Sequence, residues 1–389
     1  MTPNAYAFDN WIRTGFIEIN TALEELYFAQ ENKANTIDIG NDLKQQLVNE
    51  GQHYIQALLR EGNTDEGFDA GFDLLGNVGL YMGACRRHEI SESEQSKNAS
   101  ALALQLGASL GVTPRFATSH LTTHNFAQHG VYKAFTSLQA EAFFLEYNTR
   151  GIFAYKRAAD SLVRILPIGI SHPVACDLLA AATQAIENVI ENNNELFSRL
   201  DVDRFFYNVR PYYKPYKVGQ QEYRGANAGD FAGINELDVL LGLCQPESPH
   251  YSQLLVDKFL FMMPEDQARL RDCMRRKSLL DQLLEEIPRS QAKPWFTKVV
   301  QEFLNVCHAH GEAASQHHHQ LVEKYITKPS EDIDQQYLEK ITASGPPLDV
   351  LLRSLNNLKD LRIAAKRDDI PSRYADLERL RTAINTNKK

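Results

Sequence analysis

The densest cluster of metal-capable side chains lies between Trp295 and Ile326, where the chain reads WFTKVVQEFLNVCHAHGEAASQHHHQLVEKYI and carries His308, His310, His317, His318 and His319. At about 100° per residue, Phe303, Cys307, Gly311, Ala314, His318, Leu321, Val322 and Tyr325 fall on one apolar stripe. His318 therefore faces inward, and His317 and His319 are turned about 100° away, toward the flanks. His308 and His310 point to nearly opposite sides, and no pair has the i, i+4 spacing of a helical HExxH zinc site. A single inward imidazole beside Gly311 and Ala314 leaves two readings. One is a core histidine satisfied by a backbone carbonyl. The other is the axial ligand of a large planar cofactor such as heme, whose iron one proximal histidine can hold while the opposite face stays open.

The elements that must position such a residue are helices. Apolar residues recur at helical spacing, as in Leu74, Leu75, Val78, Tyr81 and Met82, or Leu178, Leu179, Ala182, Ile186 and Ile190, whereas strand-like alternation is scarce. The expectation is an all-α fold. Gly62-Asn63-Thr64 should end one helix, Ser171-His172-Pro173 should open another, and Met263-Pro264-Glu265-Asp266 a further one. Gly107 to Pro114 interrupts the helical pattern and is the expected boundary between a small helical domain, 1–113, and a larger one, 114–389, that carries the histidine helix. Tyr212 to Ala232, with its aromatics, Pro215 and three glycines, reads as a functional loop. A second long loop, from about Thr327 to Pro347, could serve as a lid.

Composition narrows the function. At 389 residues, 43% hydrophobic and 23% charged, the chain can bury a large core and is not of a disordered class. Its net charge of −9 is spread along the sequence without a basic stripe, so nucleic acid is not an expected partner. No apolar run of membrane-spanning length and no leader pattern are present, so a cytoplasmic location and no membrane partner are expected. The five cysteines are odd in number and far apart, without a CxxC pair, and signal neither a disulfide framework nor a zinc cluster. No phosphate-cradling glycine motif occurs. The oligomeric state is open.

Several segments, in the same order along the chain, resemble the indoleamine 2,3-dioxygenase and tryptophan 2,3-dioxygenase heme superfamily. His318-His319-Gln320-Leu321-Val322-Glu323-Lys324-Tyr325-Ile326 resembles its proximal-histidine helix. Phe205-Phe206-Tyr207-Asn208-Val209-Arg210 resembles its Phe-to-Arg element, which implies that Phe205 packs on a substrate indole and Arg210 pairs with its carboxylate; a structural ion pair is the other reading of Arg210. Gly225-Ala226-Asn227-Ala228-Gly229 followed by Glu236-Leu237-Asp238-Val239-Leu240-Leu241-Gly242 resembles the family's small-residue loop and the DVLLG helix after it, with Asn227 in place of a serine. Phe143-Phe144-Leu145-Glu146-Tyr147 resembles a distal-side helix. Finally, Val78-Gly79-Leu80-Tyr81-Met82-Gly83-Ala84-Cys85-Arg86-Arg87-His88 and Arg210-Pro211-Tyr212-Tyr213-Lys214-Pro215 are most similar to the monodechloroaminopyrrolnitrin synthase-like subgroup.

The resemblance implies heme b as cofactor, its iron on His318, with Gly225, Ala226 and Ala314 beside it. It implies an indole or tryptophan substrate between Phe205 and the Phe143 and Phe144 wall, with Arg210, Asn227 and Ala228 as further contacts and molecular oxygen as co-substrate. Tyr147, where the family has a small serine, and Ser344, in a shortened form of the family's glycine-rich lid turn, take the catalytic positions; Tyr147 packed in the core is the other reading. The expected reaction is 2,3-dioxygenation of the indole ring. The alternatives are a pyrrolnitrin-type rearrangement of a tryptophan derivative and a heme protein without turnover.

Overall fold

The computed structural model describes residues 1–62, 67–90, 94–226, 229–320 and 348–385. Asn227, Ala228, Ser344 and the loop from about Thr327 to Pro347 lie outside the described residues, as do Leu321, Val322 and Tyr325. The elements are helices α1 Pro3–Arg13, α2 Gly15–Phe28, α3 Asn41–Glu61, α4 Phe68–Arg87, α5 Glu94–Leu110, α6 Gln139–Ile168 and α7 Val174–Arg199. They continue with α8 Ala232–Leu241, α9 Pro249–Phe259, α10 Pro264–Met274, α11 Leu279–Ser290, α12 Pro294–Gln316, α13 Leu348–Arg362 and α14 Tyr374–Asn385. The fold is all-α, with one departure: Tyr216–Val218 (β1) and Gln221–Tyr223 (β2) form a two-stranded antiparallel hairpin, within the stretch read from sequence as an irregular loop. Gly219 takes φ +62 at the first position of its two-residue turn, a conformation that glycine adopts without steric cost.

Helix ends fall where the sequence chemistry places them. Gly62 terminates α3 in the left-handed conformation, its N–H bonded to the Leu58 carbonyl. Proline opens α1, α10 and α12 at a position where a missing N–H costs nothing, and Thr2 caps α1 through a bond from the Ala5 N–H.

The residues cluster into two compact units, each discontinuous in sequence. The first takes in Met1–Glu146 and Arg199–Asp230. Its centre is α4, whose Leu75, Val78, Leu80 and Ala84 are fully buried. Gly79 belongs there because a Cβ at this position would stand 2.4 Å from the Phe116 backbone nitrogen, which has no room to give. A buried ionic group ties α1 to this core: Lys133 Nζ lies 2.9 Å from Asp9, which also accepts from Arg13 at 2.8 Å.

The second unit takes in Tyr147–Ser198, the chain from Phe231 through α12, and Asp349–Lys389. Its core joins Leu162 and Ile165 of α6, Leu179 and Ile186 of α7, Leu237 and Leu240 of α8, Phe303 and Val306 of α12, and Leu380 of α14. Fully burying each such side chain contributes roughly 1.5–3 kcal/mol.

Candidate functional site

In the first unit the backbone departs from α-helix where the Phe-to-Arg element lies. Asp201 caps a short turn by accepting from the Arg204 N–H at 2.8 Å; a π-turn follows over Phe205–Val209, then a 3-10 turn over Arg210–Tyr213. Such π-turns are uncommon and recur at functional sites. This one is held by the Arg-Arg-His end of α4. Arg87 makes two bonds of 2.8 Å to Glu24 and donates to the Tyr207 carbonyl at 3.0 Å, while Asn208 donates to Glu24 at 2.8 Å. Next in sequence, His88 donates from Nε2 to Asn20 and accepts from the Tyr27 hydroxyl, at 2.8 and 3.0 Å. Burial, reinforced by the Arg87 charge, holds its pKa well below the usual histidine value, so the ring is neutral.

The turn presents an aromatic wall and one cation. Phe205 is buried with its ring 4.9 Å from Phe144, and Phe144 meets Tyr213 edge-on at 5.9 Å. Phe143 is covered by Arg199, 4.2 Å above its ring. Arg210 is 6% exposed, its guanidinium 5.3 Å from the Phe206 ring centroid. Its Nη1 has no hydrogen-bond partner, and no carboxylate pairs with it among the described residues. Burial pulls its pKa down to about 10, so it stays charged at neutral pH. The Gly225-Ala226 segment is buried and is fastened on one side by Arg115, which donates to the Arg224 carbonyl, and on the other by the Arg224–Asp230 ion pair at 2.7 Å.

In the second unit, Tyr147 is buried on α6 with Arg150 5.2 Å over its ring, and Glu146 before it is exposed. On α12, Phe303, Cys307, Gly311 and Ala314 are buried, as the apolar stripe requires. The helix then tightens into a π-turn over 317–320, where His318 is half-buried and His317 and His319 are exposed. This turn departs from the 100° per residue assumed for a regular helix.

The same helix carries a histidine whose role sequence reasoning missed. His310 is fully buried and bonds Asp238 through Nε2 at 2.7 Å. Asp238 also receives two bonds from Arg362, at 2.8 and 2.7 Å, and one from the Tyr251 hydroxyl at 2.7 Å. Burial would raise the Asp238 pKa, but the Arg362 charge and the His310 bond overcome it and hold the carboxyl well below its usual range. His310 itself is lowered by burial, only partly countered by Asp238. The available signal was Asp238 within the apolar run Leu237 to Leu243, since a buried carboxylate demands a charged partner.

Among the described residues no three His, Cys, Asp or Glu side chains gather around a point that could hold a bare metal ion. Just past α12 the donor is the single imidazole of His318, with the small, buried Ala314 one turn before it, and a single imidazole suits the iron of a macrocycle better than a bare ion.

The all-α architecture is consistent with the indoleamine and tryptophan dioxygenase class of heme proteins, and the sequence match places the chain in that class. Within it, the chain belongs to the monodechloroaminopyrrolnitrin synthase PrnB family, whose sequence model matches residues 2–384. That family is a subgroup of the indoleamine and tryptophan dioxygenase superfamily of heme-dependent oxygenases. No helix among the described residues is long and apolar enough to cross a membrane.

Proposed function

We propose that the protein is a heme-dependent oxygenase that transforms tryptophan or a derivative of it, with ring rearrangement of the kind named by its family ahead of 2,3-dioxygenation. The observation that supports an amino-acid substrate is Arg210. A buried guanidinium without a carboxylate is costly in the free protein and pairs bidentately with a carboxylate that enters. The family match over residues 2–384 supports rearrangement over ring opening.

His318 would hold the iron of heme b, with Ala314, Gly225 and Ala226 as the small residues assigned to its surroundings. When bound, heme supplies the iron at which dioxygen is activated. The chain's own residues bind and orient. Arg210 takes the substrate carboxylate, and Phe205 with Phe143 and Phe144 offers aromatic faces to the indole ring. The Glu24, Arg87 and Asn208 network keeps the π-turn in one conformation, so catalysis by these residues is proximity and orientation. Tyr147, Asn227, Ala228 and Ser344 are assigned to the same reaction by the family resemblance.

Optical spectra of the wild type beside His317→Ala, His318→Ala and His319→Ala test the ligand. The heme Soret band is expected to be lost or shifted in His318→Ala alone. Addition of tryptophan and oxygen to the reduced protein tests the reaction: near-ultraviolet absorbance of formylkynurenine as the main product would refute rearrangement in favour of dioxygenation. A heme band without oxygen consumption, across tryptophan and its chlorinated derivatives, would refute turnover.

A further inference from the structure

Beside Arg210 the 3-10 turn carries a second buried polar atom whose bonding capacity is unused. The Tyr213 hydroxyl has no hydrogen-bond partner among the described residues, and the residue is 8% exposed. Arg210 and Tyr213 are the first and last residues of this 3-10 turn, and with three residues per turn positions i and i+3 share a face of the helix. The Tyr213 ring meets Phe144, Phe116 and Phe135 edge-on, and Phe144 in turn contacts Phe205, so the ring belongs to the same aromatic wall. A hydroxyl buried in this way costs the free protein stability until something bonds to it.

We propose that the Tyr213 hydroxyl accepts a hydrogen bond from the α-ammonium group of the substrate, and so selects α-amino acids over indole acids that lack the amine. The inference rests on the reading of Arg210 as the carboxylate anchor. An α-amino acid places a carboxylate and an ammonium on one carbon, so its receptor needs a donor and an acceptor side by side. Arg210 can only donate; the phenol oxygen has lone pairs to accept. Burial, with a smaller contribution from Glu141, pushes the Tyr213 pKa well above 10, which keeps the phenol neutral and its oxygen available to accept a hydrogen bond. Glu141 is itself fixed by bonds from the Phe135 and Thr136 N–H groups at 2.8 and 2.7 Å.

Calorimetric titration of the purified holoprotein with L-tryptophan and with indole-3-propionate, which lacks the amine, tests the assignment. Tyr213→Phe is expected to weaken L-tryptophan about tenfold and to leave indole-3-propionate within about twofold of wild type. Arg210→Gln is expected to weaken both. Because the phenol oxygen has no partner in the free protein, Tyr213→Phe should not lower its Tm. Equal weakening of both ligands by Tyr213→Phe, no weakening of either, or a Tm lowered by several degrees overturns the assignment. If the wild type binds both ligands and Arg210→Gln loses both while Tyr213→Phe keeps wild-type selectivity, only the Tyr213 assignment falls. If the wild type binds neither ligand, the indole-acid reading itself fails and takes this assignment with it.

Discussion

Replacing Arg210 by methionine should make the ligand-free protein more stable while abolishing its affinity for the substrate carboxylate. A guanidinium whose pKa falls from its ordinary 12.5 to about 10 on burial has lost roughly 3 kcal/mol of solvation. No anion among the described residues returns it. Methionine retains most of the apolar stem, and what it gives up is the contact with the Phe206 ring at 5.3 Å. Such a cation–aromatic contact is worth about 1 kcal/mol. The balance favours the variant by about 2 kcal/mol, or a rise in Tm of roughly 4–8 °C for a unit of this size. Scanning calorimetry with and without L-tryptophan reads both halves: the wild type should be stabilised by ligand through mass action, and the variant should start higher and not respond. A ligand-free Tm several degrees below wild type would refute the reasoning, because it would mean that the guanidinium holds the structure together and is not kept for a ligand.

Asp238→Asn should destabilise strongly, since it leaves Arg362 buried without its counter-charge; about 3–5 kcal/mol is expected, and thermal unfolding with less than about 2 °C of change would refute the network. Replacing both partners, Asp238→Leu with Arg362→Met, should recover much of that loss, because the uncompensated charge goes with its partner. Gly79→Ala should cost roughly 1–3 kcal/mol in urea unfolding, because its Cβ would meet the backbone at Phe116. Stability should also fall with acid. His88 and His120 are buried and neutral, burial lowering the first well below its usual value and, with Lys133, the second to about 3. Below about pH 6.5 the unfolded chain gains protons that the folded chain refuses, so stability rises with pH there, by up to about 1.4 kcal/mol per pH unit for each ring. Urea titrations at pH 7.5, 6 and 5 measure the slope; equal stability at pH 7.5 and 5 would contradict it.

Much of the architecture was legible locally. Helical periodicity in α4 and α7 and the stop and start residues Gly62, Pro173 and Pro264 describe elements that form as expected, because propensity and capping act within a few residues. The apolar stripe of α12 was legible for the same reason: Phe303, Cys307, Gly311 and Ala314 are all buried, as the helical phase requires. The family resemblance on Phe205 and Arg210 is also local in origin, since both lie in one short segment.

What the tertiary structure alone decided are the partners of buried charges and the turns that those partners stabilise. His310 reads as one more histidine of a cluster until Asp238, 72 residues before it, is brought against it, and Asp238 is neutralised only by Arg362, 124 residues further on. The π-turn at Phe205 has no periodic signature, because it is held by Glu24 and Arg87 from two other helices. A sequence records which residues need a counter-charge; only the fold decides which of them go without one. That is why Arg87 and Arg210 look alike in the chain, yet one is neutralised by Glu24 and the other has no carboxylate partner among the described residues.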